Sequence, residues 1–215
     1  MTKIFIDFEM TGLHKNTNPI SIGLVSSCGK SFYAEFTDYD KSQIDDWLQK
    51  NVIDRLLHTD KINVAIGSWE AWNSNKKMYE NPFERIIDKD ADMSDFECIG
   101  ATPMIRNRLE KWLAQFEHIE MYSDCLAYDW VLFCDIWGHA FKIPKNIYYI
   151  PFDICTSFKD KGINPDINRE EFIGAEKLNE ICSILKQTPE SGKHNSRWDA
   201  YIIRACDEKL QSTKQ

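Results

Sequence analysis

The chain has no run of apolar residues approaching the ~20 that a bilayer span requires, no C-x-x-C pair, no internal repeat and no low-complexity tract. The missing apolar run, with two acids among the first nine residues, leaves neither secretion nor membrane insertion to be expected and points to a cytoplasmic protein. Cysteine is present but unpaired in pattern: the seven residues Cys28, Cys98, Cys125, Cys134, Cys155, Cys182 and Cys206 are odd in number and sit mostly within apolar stretches. That pattern argues against a disulfide framework or a zinc knuckle and for a reducing compartment. Basic charge is also short. Lysine and arginine total 26 against 34 acids, a formal charge of −8, which excludes coating of duplex phosphates over a long footprint and leaves short or locally gripped nucleic acid.

What is present fits one domain across residues 1–215: 43% of the chain is hydrophobic and 28% charged, enough to bury a sizeable core. Lys3 to Glu9, Ile20 to Ser26 and Ser31 to Phe36 read as strands, the last two joined by turn chemistry at 27–30, giving an antiparallel meander. Ile44, Trp47, Leu48, Val52, Ile53 and Leu56 recur at helical spacing across 41–57, with Asp40 as cap and a break near Asn51. Residues 60–100 carry many charges and scattered aromatics with weak periodicity, and read as an insertion within the domain. Thr102-Pro103 then opens a helix, followed by a strand at 119–123, a helix over 127–137, a strand at 147–154, a helix over 175–186 and a terminal helix to Leu210. Strands first and alternating helices later predict a mixed α/β sheet of five strands flanked by helices.

Within Asp7-Phe8-Glu9-Met10-Thr11-Gly12-Leu13, a strand places Asp7 and Glu9 on one side, about 7 Å apart. A lone D-x-E is usually an edge strand with two solvated acids. Here Ile4, Phe5, Ile6 and Phe8 describe a strand covered on both faces, which does not tolerate two anions unless cations or hydrogen bonds neutralise them. A second acid, Asp129, precedes an apolar helical run. Capping would explain it as well as ligation does, and Asp124 competes with it from the strand end, but Asp129 is favoured because it directly precedes the apolar run. A third group, Lys193-His194-Asn-Ser-Arg-Trp-Asp199-Ala200, puts His194 and Asp199 off a common helical face, but a helix starting just after the histidine lets His194 swing in from the Ser191-Gly192 side while Asp199 points inward.

In order, D-F-E-M-T-G-L, an aromatic-Asp segment and H-x-S-x-x-D-A resemble the DEDDh exonucleases, the DnaQ-like branch of the RNase H-like fold, over nearly the whole chain. The stretches 20–25, 127–138 and 143–147 resemble most the bacterial RNase AS-type 3′-to-5′ exoribonucleases. The resemblance implies that Asp7 and Glu9 form the first motif, Asp129 the second, and His194 with Asp199 the third, with Asp7, Glu9, Asp129 and Asp199 as metal ligands. It also implies Met10, Thr11 and Leu13 as substrate-binding residues, through backbone N–H groups and an apolar wedge, and a homodimer. Proofreading-type members carry asparagine where this chain has Cys125 and alanine where it has Ser196.

Hydrolysis of a phosphodiester needs an activated water, neutralised charge on phosphorus and a stabilised leaving oxygen, and two divalent cations meet all three needs. Oxygen ligands with no nearby cysteine favour Mg²⁺ or Mn²⁺ over zinc, and His194 has a suitable ordinary pKa for a general base. Trp69, Trp72, Tyr33, Trp130 and Trp198 are candidates for base stacking, and Lys30, Lys76, Lys77 and Arg197 for phosphate contacts. The expected function is a 3′-to-5′ exoribonuclease acting on single-stranded 3′ ends and releasing nucleoside 5′-monophosphates, with RNA favoured over DNA. Its competitors are a DNA exonuclease, a small-molecule phosphodiesterase, and a binding module that has lost its chemistry.

Overall fold

The computed structural model describes residues 1–58 and 95–212. The alternating residues of Thr2–Met10 form strand β1, whose Ile4, Ile6, Phe8 and Met10 face one core cluster while Phe5 faces a second. β1 pairs antiparallel with β2 (Pro19–Ser26), which pairs antiparallel with β3 (Ser31–Phe36), as the expected meander requires. β1 also pairs in parallel with β5 (Ile119–Ser123). With β4 (Asp95–Gly100) parallel to β3 and β6 (Phe152–Asp153) parallel to β5, the sheet has six strands in the order β4-β3-β2-β1-β5-β6.

The sixth strand corrects the expected five. Its residues lie in the supposed insertion, where charges at Asp95 and Glu97 mask the alternation that buries Phe96 and Cys98. The remainder of that insertion, with Trp69, Trp72, Lys76 and Lys77, lies outside the described residues. The strand expected over 147–154 reduces to β6 plus a single bridge from Ile147 to Ile119. The helix expected over 41–57 is three short pieces. A 3₁₀ turn at Lys41–Gln43 is capped by Asp40, α1 (Asp46–Asn51) starts afresh because Asp45 accepts from the Leu48 N–H, and a second 3₁₀ turn spans Ile53–Arg55.

Helices α2 (Thr102–Leu113) and α3 (Leu126–Asp135) cover one face of the sheet, burying Ile105, Leu109, Trp112, Leu132 and Phe133 with β1 and β2. On the other face lie α4 (Ile154–Asp160), α5 (Arg169–Ile173), α6 (Ala175–Leu185), the short α7 (Pro189–Gly192) and the long α8 (Ser196–Ser212). α8 buries Trp198, Ile202, Ile203 and Leu210, each such side chain contributing about 1.5–3 kcal/mol. Lys3 clamps the helix to β1, its Nζ donating to both Asp207 oxygens at 2.9 and 2.8 Å. No helix among the described residues is long and apolar enough to cross a membrane.

Candidate active site

The side of β1 that carries Phe5 also carries Asp7 and Glu9, and the register shift after Glu9 ends regular pairing just beyond the two acids. Across the β1–β2 ladder Asp7 stands opposite Gly23 and Glu9 opposite Ser21. α8 crosses β2 at this level. A Cβ at Gly23 would lie 2.2 Å from the Ser196 carbonyl oxygen, so only glycine admits the first turn of the helix. The Ser196 hydroxyl, one of the departures from the proofreading pattern, meets the Ser21 hydroxyl at 2.9 Å in the interior. Buried Asn195 caps the helix, its Oδ1 accepting from the Arg197 and Trp198 N–H groups at 3.2 and 3.5 Å. The helix thus begins two residues after His194, and Asp199 falls in its first turn.

The third contribution comes from the turn between β5 and α3. Asp129, fully buried, is not a cap: it lies inside the first turn of α3, where the Ser123 hydroxyl donates to its Oδ2. Asp124, passed over in favour of Asp129 on sequence grounds, joins the site too. The acids gather in two sets. One oxygen from each of Asp7, Glu9 and Asp199 lies within 4.8 Å of the other two, and the same holds for Asp7, Asp124 and Asp129, with Asp7 common to both.

So many carboxylates cannot all ionise together unaided. Burial first, then Asp129, Asp199, Glu9 and Asp124, push Asp7 well above the usual carboxylate range. Glu9 is raised to about 8 by burial and Asp129, against a lowering by Arg55. Asp129 is raised to about 8, chiefly by burial, although Ser123 lowers it. Asp199 is also held well above its ordinary value by burial and by Glu9, Asp124 and Glu170, while the His194 backbone N–H lowers it. Asp129 Oδ1 is buried with no hydrogen-bond partner among the described residues. All-oxygen donors, mutual repulsion and a bare buried oxygen fit divalent cations of the Mg²⁺ or Mn²⁺ kind.

His194 occupies the left-handed region at φ +61°, unusual for a residue with a side chain. Burial, then Lys193 and Arg55, hold its pKa below the ordinary imidazole value, leaving a neutral ring able to accept a proton. Two residues that sequence reading missed shape its surroundings. Arg55 Nη1 donates to the Lys193 carbonyl at 2.6 Å, and the Arg55 carbonyl accepts from Asn195 Nδ2 at 3.5 Å, so Arg55 brackets the histidine. Trp47, read from its spacing as a core position, is 54% exposed and meets the His194 ring edge-on at 5.3 Å. No motif marks Arg55, and Trp47 betrays itself only by sharing its short helix with Asp45 and Asp46.

The expected substrate-binding residues separate. Met10 is buried in the core, and the Thr11 N–H is donated to the Asn18 carbonyl at 3.0 Å. Leu13 is 65% exposed, with its carbonyl tied to the Tyr128 hydroxyl of α3. Of the stacking candidates, Tyr33 and Trp198 are core and Trp130 is half-buried against it. Arg197 is occupied by an ion pair with Glu97, and Lys30 donates to Gln115. The supposed absence of nearby cysteine is also corrected. Cys125 is close enough to Asp129 and Asp124 to feel their charge, yet burial and those charges raise its thiol to about 11, which keeps it protonated and a poor metal ligand.

The acids gather at the end of β1 in a mixed sheet flanked by helices on both faces, an RNase H-like fold. The structure is similar to that of the nuclease domain of 3′hExo, a DEDDh family member, bound to rAMP, with a TM-score of 0.50 and 14% identity over 98% of this chain and 92% of that one. In sequence the chain is 22% identical, over 160 residues, to two Mycobacterium tuberculosis proteins named 3′-5′ exoribonuclease, from two strains, spanning 74% of this chain and 76% of each relative. No protein-family model matches.

Proposed function

We propose that this chain is a metal-dependent 3′-to-5′ exoribonuclease that removes nucleoside 5′-monophosphates from single-stranded RNA ends. The observation that carries the reading is the pair of carboxylate sets sharing Asp7. Asp7 would hold two cations, Glu9 and Asp199 one of them, and Asp129 the other. When bound, such ions activate water, neutralise charge on the phosphate and stabilise the departing 3′ oxygen.

The chain's own residues do the rest. His194, neutral near pH 7, accepts the proton of the attacking water at a ring nitrogen, while Arg55 and Asn195 fix the backbone around it. The His194 backbone lies close enough to Asp199 to lower its pKa, which sets the base beside the acid cluster. Leu13 and Trp47 offer exposed apolar surface beside the acids and the histidine, suited to the last bases of an RNA chain. The name 3′-5′ exoribonuclease carried by the two relatives supports RNA as the substrate. Because the chemistry does not touch the 2′ position, sugar preference is an independent part of the reading. It includes a cytoplasmic location and pairing of two copies, which sedimentation checks.

Digestion of matched RNA and DNA oligomers, labelled at the 5′ end, with Mg²⁺, Mn²⁺ or chelator tests the proposal. A ladder shortening from the 3′ end of RNA, abolished by chelator, is expected. Faster loss of DNA overturns the substrate, and turnover of dinucleotides but not longer chains would make the protein a small-molecule phosphodiesterase.

A further inference from the structure

We propose that Asp124 is a fifth carboxylate ligand of this site, completing with Asp7 and Asp129 a second three-carboxylate cation position. The inference rests on the functional reading above and deepens it.

The oxygens of Asp7, Asp124 and Asp129 are gathered as closely as those of Asp7, Glu9 and Asp199. Without Asp124, the second position would have two carboxylates, one of them with Oδ2 already engaged by Ser123. The other Asp129 oxygen is buried and bare among the described residues. A buried anionic oxygen left without a partner is costly, and an ion shared with Asp124 and Asp7 relieves it. Small hard cations seek about six oxygens, so a third protein ligand is readily taken up. Asp124 also has the access a ligand needs: it borders the 260 Å³ cleft that holds Asp7 and Asp199, and the 610 Å³ groove lined by Tyr128, Trp130 and Pro151.

The competing role for Asp124 is to hold Arg169. Arg169 Nε stands 3.7 Å from Asp124 Oδ2, longer than a hydrogen bond. The guanidinium is already fixed by other groups. Nη1 donates to the Pro165 and Ile167 carbonyls at 2.6 and 2.9 Å, Nη2 to Cys155 Sγ at 3.2 Å, and the group lies 4.8 Å from the Phe158 ring centre. Arg169 therefore does not need Asp124 for its own placement. Its charge has a different consequence: five carboxylates with one guanidinium carry the same net charge as four carboxylates, which two divalent cations neutralise.

The test is titration of the chelator-stripped full chain with Mn²⁺ alone, followed by calorimetry and by the paramagnetic resonance signal of free Mn²⁺. Wild type is expected to take up two ions, and Asp124→Asn to weaken one of them about 10-fold or more while leaving the other. An unchanged isotherm in folded Asp124→Asn overturns the assignment. If that variant does not fold, Arg169→Gln decides: removing the neighbouring cation should tighten uptake, and an unchanged or weaker isotherm overturns the proposal. Failure of the wild type to take up Mn²⁺ or to hydrolyse RNA is the separate failure of the functional reading, and takes this inference with it.

Discussion

Asp7 and Gly23 face one another across the β1–β2 ladder, and the missing side chain at Gly23 lets the first turn of α8 close over the strand pair beside the acid. A methyl at Gly23 would collide with backbone, not with a flexible side-chain end. Gly23→Ala is therefore expected to destabilise the protein by about 1–3 kcal/mol, and to weaken divalent-ion uptake because Asp199 moves with the helix. Thermal unfolding and an ion titration on the same sample check both. Wild-type values in each would show that the contact is dispensable.

Asp7 belongs to both acid sets, so its loss should be felt at both. Asp7→Asn is expected to abolish hydrolysis and to impair uptake of each of two Mn²⁺ ions, whereas Glu9→Gln should impair one. Unaltered hydrolysis in purified Asp7→Asn rejects the assignment of the site.

His194 lies outside both sets, and its variant separates chemistry from ion binding. His194→Ala should slow turnover about 10²–10⁴-fold, the usual contribution of a positioned base, with ion uptake near that of wild type. Rate constants under saturating Mn²⁺, beside a calorimetric titration, give the comparison.

Among the described residues Arg55 hydrogen-bonds to no acid, yet it holds the Lys193 carbonyl and the Asn195 amide on either side of His194. Arg55→Ala should lower kcat about 10- to 100-fold through misplacement of the base. The KM for RNA should change much less, and Arg55→Lys should recover part of the rate. A loss confined to KM would instead make Arg55 a substrate contact.

The metal-free protein should lose stability as pH rises. Glu9 and Asp129 have folded-state pKa values near 8, above those of unfolded carboxylates. Between about pH 4 and pH 8 the folded state binds more protons than the unfolded one, so unfolding free energy falls across that window. Melting temperatures in chelator should decline from pH 5 to pH 8, and saturating Mg²⁺ or Mn²⁺ should remove most of the decline. A flat profile in chelator would mean that the acids are neutralised by other means.

Much of this arrangement was legible in sequence because it depends on periodicity and local chemistry. Alternation in β1 puts Asp7 and Glu9 on a common side, and α8 starts just after His194 with Asp199 in its first turn. Less legible was whatever depends on contact between distant segments. Asp124 enters the site because the β5–α3 turn meets the end of β1, which no spacing encodes. Met10 and Thr11 were assigned by position; that Met10 packs with Ile4, Ile6 and Phe8 and that the Thr11 N–H meets the Asn18 carbonyl were not legible there. β4 escaped notice because its pairing with β3 is parallel and long-range, with no hairpin turn to announce it.

The acids come from β1, from the turn after β5 and from α8, so chain order has a bearing on when the enzyme can act. Synthesis supplies Asp7 and Glu9 first and Asp199 only after the whole sheet has been made. On the proposed function, a nascent chain on the ribosome, surrounded by RNA, remains harmless to messenger and ribosome until its last helix docks.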